Sequence, residues 1–396
     1  MAAIVHLSPP ALHPPVVSAP EHKAIVAETL STIAAEQNKA VERLALTELL
    51  LARAPLPESF DIPLTTVSLG SNFQAHINIR FADTQGPSTP LLVDSGNSSL
   101  IVPYYEHIAA LSNFHARYEV LAENAVEPWG CPAKVLRGPI VIPTRTGNVF
   151  TIPACVFFAC TADNPNEDPR TANFGAGWAS LWREVGAITM QSPLTYNSDY
   201  PYAEFNYAPS DKMFAAEAKP FVVAGQSHLT MYRTMPSDYL TFDILRDCYW
   251  MSLSPRALSI GNTVTAWPGD IPSPIAMVDT GGGPVILSDP KGYVHNRHWP
   301  QPVDNPWWTP PDVCQSIKED LSITVGDAHG SFSYRVHMSD MPASVQGLTL
   351  VMCHESQFMR GNNGINIGGL SALFNYILID YSLGKVGFKP KPAALV

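Results

Sequence analysis

Two stretches, LLVDSGNSSLIVP at 91–103 and IAMVDTGGGPVILSDP at 275–290, follow one plan. Each runs an apolar strand into Asp-Ser/Thr-Gly, turns on small residues, and resumes an apolar run that closes near proline. The two aspartates, Asp94 and Asp279, lie 185 positions apart, about one domain's length. A lone Asp-Ser/Thr-Gly is most often a turn. Two of them, each at the end of an apolar strand, point instead to a duplicated β lobe that contributes one acid from each half.

An acid at a strand end sits at the edge of a core, where burial raises the cost of its charge and a second carboxylate raises it again. Two such groups a few ångströms apart share a proton and titrate as a pair. One can then take a proton from water while the other gives one to a carbonyl oxygen, which is general acid–base hydrolysis without a metal or a covalent intermediate. The residues that follow fit this use. Ser95 and Thr280 carry short hydroxyls able to donate and accept across the junction. Gly96 and Gly281 leave room for backbone to approach the carboxylates.

Outward from these segments, the chain reads as β-rich. Its 396 residues suit two domains. Apolar residues make up 46% and charged residues 15%, which excludes a disordered chain. The 37 prolines and 25 glycines indicate many turns. From Phe60 onward short apolar runs alternate with turn residues, as in HINIRF (76–81), PLLVDSG (90–96), GPIVIP (138–143) and FTIPACVFFAC (150–160). Residues 161–173 and 298–312 read as loops, the second holding three tryptophans. The helical pattern lies earlier, over residues 21–53, where Val26, Leu30, Ile33, Val41 and Leu44 recur at helical spacing before Pro55 and Pro57 end it. The reading therefore divides the chain into an N-terminal helical extension (1–58), a first β lobe with Asp94 (59–230) and a second with Asp279 (231–396).

A net charge of −11 with no basic run argues against nucleic acid and anionic membranes as partners. No apolar run reaches the length of a membrane span. The first twenty residues carry no Lys or Arg and break their apolar stretches with prolines, a pattern unlike a secretory signal, so an intracellular location is favoured. Six cysteines at irregular spacing form no CxxC pair, and His295 and His298 lack a third ligand nearby. No metal and no cofactor are expected.

Taken together, these segments resemble the pepsin-like aspartic peptidases from about residue 60 to residue 390. FDIPLTTVSLGSNFQAHINI (60–79) resembles the start of the mature fold, and VDSGNSSLIVP and VDTGGGPVILSDP resemble the two active-site segments. NFGAGW (173–178) resembles the strand that backs the first aspartate. Residues 225–263 resemble the passage between lobes, and GINIGGLSALFNYILIDYSLGKVGFKP (364–390) resembles the closing stretch. The resemblance implies an all-β, bilobal fold and catalysis by Asp94 and Asp279, supported by Ser95, Gly96, Asn97, Thr280 and Gly281. It also puts Cys314 and Cys353 where such enzymes often carry a disulfide.

The chain departs from that family where substrate would lie. The flap tyrosine before glycine is replaced by Trp129-Gly130, and Ile101 stands in place of the tryptophan that usually partners it. Gly282 and Gly283 replace the small hydroxyl residues after the second motif, hydroxyls that help hold the dyad and the substrate backbone. Asn97 replaces the usual serine or threonine and can preserve a hydrogen bond to Asp94. The closing apolar-apolar-Gly appears as Ile367-Gly368-Gly369. The extension is poor in Lys and is expected to be a packed helix or a dimer contact rather than a basic inhibitory pro-segment. The leading expectation is an aspartic endopeptidase acting on peptides. An alternative is a pepsin-fold enzyme turned to acid–base chemistry on a small biosynthetic substrate, and a silent binding homologue is a third.

Overall fold

A computed structural model describes residues 56–69, 72–81, 88–103, 108, 117–161, 172–179, 183–208, 221–245, 251–260, 263–266, 275–282, 285–288, 321–326, 330–336, 350–353, 364–369 and 371–392. Among these the protein is all-β. Its regular elements are strands, apart from short helical turns such as Ser371–Phe374. The expected helix over 21–53, the loop at 298–312, most of the loop at 161–173, His295, His298, Gly283 and Cys314 lie outside the described residues. So does the side chain of Cys353, and with it the Cys314–Cys353 pairing.

The first eight strands are β1 (Ser59–Leu69), β2 (Asn72–Phe81), β3 (Ser88–Asp94), β4 (Leu100–Pro103), β5 (Glu119–Val126), β6 (Pro132–Pro143), β7 (Val149–Cys160) and β8 (Asn173–Gly175). The four runs read as strands from their apolar patterns fall in β2, β3, β6 and β7. Period-two alternation turns Ala75, Ile77, Ile79 and Phe81 of β2 inward, with Leu91 and Val93 of β3. In β1 Ile62 and Leu64 are buried in alternation and the run from Leu64 to Val67 is buried throughout; opposite the Leu64–Thr65 step, Gly225 and Gln226 of Phe221–Tyr232 are left over as an irregularity in the pairing. The short β4 is buried throughout, as befits a strand that pairs in parallel with β7 inside the sheet.

All eight belong to one 13-stranded sheet in the order β5-β6-β7-β4-β8-β3-β2-β1, continued by Phe221–Tyr232, Tyr202–Asn206, Asn375–Asp380, Lys385–Pro390 and Leu240–Asp243. A further pairing of Arg80 and Phe81 with Val141 and Ile140 joins β2 to β6 and closes the first strands into a barrel. The division expected at 230/231 falls within the strand Phe221–Tyr232, and three strands from beyond it complete this sheet.

The remaining second-half strands form a five-stranded sheet and a four-stranded sheet. The five-stranded sheet repeats the connectivity around Asp94. There, β3 lies parallel to β8, β8 antiparallel to β4, and β4 parallel to β7. Around Asp279, Ile275–Met277 lies parallel to Gly364–Asn366, which runs antiparallel to Val285–Ser288, itself parallel to Leu350–Cys353. The sequence repeat is thus a topological repeat: in each copy a later strand threads between the two arms of the Asp-Ser/Thr-Gly loop. Among the described residues no helix is long and apolar enough to cross a membrane.

Candidate active site

Asp94 ends β3 and Asp279 follows Ile275–Met277, so each acid is delivered by a buried strand to the end of its sheet. They are 8% and 5% exposed, and Asp279 lies close enough to raise the affinity of Asp94 for protons. The two loops interlock. Ser95 Oγ donates to the carbonyl of Val278 (2.9 Å) and accepts from the N–H of Thr280 (2.9 Å). Thr280 Oγ1 donates to the carbonyl of Val93 (3.3 Å) and accepts from the N–H of Ser95 (3.0 Å). Both hydroxyls are fully buried, so each bond exchanges a donor and an acceptor that would otherwise be unsatisfied.

The glycines explain the close approach. A Cβ on Gly96 would lie 2.7 Å from Cγ of Asp279, and one on Gly281 would lie 2.5 Å from Cγ of Asp94. Each loop therefore presses a bare backbone against the opposite carboxylate, and any side chain there would drive the acids apart.

Backbone and amide donors hold each carboxylate on both edges. Asp94 Oδ1 accepts from the N–H of Gly96 (2.8 Å), and Oδ2 from Nδ2 of Asn173 (2.8 Å). Asp279 Oδ1 accepts from the N–H groups of Gly281 (3.0 Å) and Gly282 (2.8 Å), and Oδ2 from Nδ2 of Asn366 (2.7 Å). Burial and the neighbouring Asp279 push Asp94 well above the usual carboxylate range, against the opposing pull of the Asn173 and Gly96 donors. The wholly buried Tyr207 lies close by; burial raises its phenol, as does the dyad's charge, so it stays protonated.

One sequence expectation needs correction. Asn97 does not bond the Asp94 carboxylate; its Nδ2 donates to the Ser99 carbonyl (2.8 Å) and to Oδ1 of Asn173 (2.9 Å). Asn173 then makes the bond to Asp94 that Asn97 was expected to make. Neither Asn173 nor Asn366 stood out in the sequence, though a signal was present. Asn-Phe-Gly at 173–175 and Asn-Ile-Gly at 366–368 repeat one tripeptide in the two equivalent threading strands.

Trp129, Gly130 and Ile101, the residues expected at a flap and cleft, form a second group. Trp129 and Gly130 occupy the turn between β5 and β6, where Gly130 takes φ 98°, a conformation that favours glycine. The buried carboxylate of Glu127 ties this turn together by accepting from the N–H groups of Trp129 (2.9 Å) and Cys131 (2.6 Å). Trp129 packs on the apolar cluster that contains Ile101, Val135, Phe158 and Met190. Ile101 in turn pairs along the backbone with Asn173, so this cluster abuts the donor on Asp94. Gly282 lies at the dyad, not in this group. Among the described residues, no three His, Cys, Asp or Glu side chains cluster so as to hold a metal ion.

No family model matches the chain, and no curated protein matches it. The chemistry rests on the site itself: two buried, adjacent carboxyl groups, one raised in its affinity for protons, can accept a proton from one reactant while giving one to another.

Proposed function

We propose that this chain is a bilobal, pepsin-like aspartic hydrolase whose Asp94/Asp279 dyad activates water for attack on a peptide carbonyl. The observation that carries the proposal is the reciprocal exchange between Ser95 and Thr280, which locks together the two loops that bear the buried acids, each loop's glycine pressed against the opposite carboxyl. A merely structural acid pair buried this deeply would be costly, because two like charges taken out of water meet no compensating cation among the described residues. Retaining it, with each carboxylate dressed by backbone and amide donors, suits a group that must hold and release one proton. The duplicated threading of β8 and of Gly364–Asn366 supports a two-lobed reading, with one acid from each half.

Substrate would lie beneath the β5–β6 hairpin, with Trp129 and Ile101 supplying an apolar wall. A peptide library incubated between pH 3 and 7 tests the proposal. Wild-type protein is expected to cut, Asp279→Asn to lose at least about a thousandfold in kcat, and pepstatin to inhibit. Cleavage that survives Asp279→Asn and ignores the inhibitor would refute it. A dyad that titrates as a pair while no peptide is cut would favour the small-molecule acid–base alternative.

A further inference from the structure

An extended peptide bound beside a β-hairpin gains much of its affinity from main-chain hydrogen bonds, and every main-chain donor has a partner that can be named. At the tip between β5 and β6, residues 127–132 read Glu-Pro-Trp-Gly-Cys-Pro, and the two prolines have no N–H. The other four donors are bonded inside the tip. The N–H of Glu127 donates to the carbonyl of Cys131 (3.0 Å), and that of Gly130 to the carbonyl of Glu127 (3.0 Å). The Glu127 carboxylate takes the N–H groups of Trp129 and Cys131. Glu127 is buried and its oxygens are charged acceptors, so a neutral carbonyl on a ligand competes poorly for these two donors.

The acid loops are closed in the same way. On the Asp94 loop the N–H groups of Ser95, Gly96 and Asn97 go to Thr280 Oγ1, Asp94 Oδ1 and the Asp94 carbonyl. On the Asp279 loop the N–H of Thr280 goes to Ser95 Oγ, and those of Gly281 and Gly282 go to Asp279 Oδ1. The tip leaves a side chain open instead. Trp129 is half-buried on the apolar cluster of Ile101, Phe158 and Met190, and its indole N–H bonds no group among the described residues. An indole offers an apolar face and a single donor.

We infer that the substrate is a short amide bearing a bulky apolar group, recognised by the indole of Trp129 and not by main-chain pairing with the hairpin, because Glu127 holds the hairpin's own donors. The apolar group packs on the indole face, and one acceptor of the substrate takes the indole N–H. On the hydrolytic reading proposed above, on which this choice of substrate rests, the amide lies at the dyad while its apolar group meets Trp129. Residues added to either end of such an amide find no open main-chain donor at 127–132, 95–97 or 280–282, so they add little affinity. Trp129 is thus the specificity-determining residue. Glu127 touches no substrate and acts by keeping the tip's main chain occupied.

The test takes a blocked Phe-Phe pair, the same pair extended to four and to eight residues, and analogues of all three in which the central amide is reduced to a methyleneamine that cannot be hydrolysed. Calorimetry on the full chain is expected to give the three analogues dissociation constants within about threefold of one another, less than one net hydrogen bond would contribute. Trp129→Phe keeps a ring and loses the donor, and should weaken all three about tenfold. Glu127→Ala frees two donors and should give the eight-residue analogue an advantage of about tenfold over the shortest. If that variant does not fold, Glu127→Gln, which keeps one acceptor, reads the same change. A wild-type affinity that climbs about a hundredfold from two residues to eight would overturn the inference. So would indifference to Trp129→Phe, indifference to length once Glu127 is replaced, or failure of every analogue to bind. Cleavage of the three parent amides keeps the questions separate. Binding that ignores length, with none of the parents cut, would sink the proposed hydrolysis alone, whereas cleavage accompanied by steeply length-dependent binding would sink this inference alone.

Discussion

At the scale of single residues, the site depends on hydroxyls and amides whose partners are buried. Ser95 and Thr280 each supply one donor and one acceptor to the other's loop, and removing either leaves a backbone N–H and a carbonyl unsatisfied. Ser95→Ala and Thr280→Ala are each expected to cost about 1–3 kcal/mol in urea unfolding. Because they share one network, the double variant should cost less than the sum, with a coupling of about 0.5–3 kcal/mol. Strict additivity would mean that the two hydroxyls do not act together. Asn97 illustrates a different point: a residue adjacent to a motif in sequence bonds the carboxylate's partner rather than the carboxylate.

At the scale of elements, the hairpin of β5 and β6 is held at its tip by one carboxylate. Glu127 is 4% exposed and takes the N–H groups of Trp129 and Cys131, which the two-residue spacing brings to one side of the turn. Glu127→Ala removes both acceptors, each bond to a charged group being worth about 1.5–3 kcal/mol. The expected result is amide exchange about 10–100-fold faster at Trp129 and Cys131, with exchange in β3 unchanged. Protection that persists at the tip would mean that the backbone bond from Gly130 to Glu127 suffices to close the turn. At the other end of the same sheet, Phe388 is 1% exposed, stacks on Phe332 of the four-stranded sheet at 5.3 Å, and meets Phe242 at 6.3 Å. It links two sheets. Phe388→Ala should therefore cost about 3–5 kcal/mol in thermal or urea unfolding.

At the scale of the whole molecule, the dyad couples folding to pH. Burial and Asp279 raise the proton affinity of Asp94 in the native state above its ordinary value of 3.8. Between that value and the raised native one, the folded protein binds more protons than the unfolded chain, so stability falls as pH rises through this window. Below 3.8 both states are protonated and the penalty vanishes. Asp94→Asn replaces the acid with a neutral isostere. It should flatten this slope and raise the melting temperature at pH 7 while leaving it nearly unchanged near pH 3. An identical pH slope in wild type and variant would show that the Asp94 carboxyl contributes nothing to the pH dependence of stability. The same scale contains the bonds that tie the C-terminal strand pair to the first sheet: Tyr381 donates its hydroxyl to the carbonyl of Ala176, the residue that follows β8, and Lys391 Nζ donates to the carbonyls of Tyr207 and Ala372 at 2.6 Å.

Read alone, the sequence determined the strand character of β2, β3, β6 and β7, because alternation of apolar residues is a local property. It also determined the pairing of Asp94 with Asp279 as a repeat, because identical surroundings recur in each copy. Only the tertiary structure decided which groups donate to each carboxylate. Asn173 and Asn366 lie 79 and 87 positions from the acids they bond, and a bond over such a span exists only when a later strand threads beside the loop. The strand Phe221–Tyr232 escaped for a related reason. Gly225, at φ 76°, and the polar residues around it break the alternation, and the strand is held by its partners Ser59–Leu69 and Tyr202–Asn206 rather than by its own pattern. The set of donors on each acid is a property of the assembled loops that neither segment carries by itself.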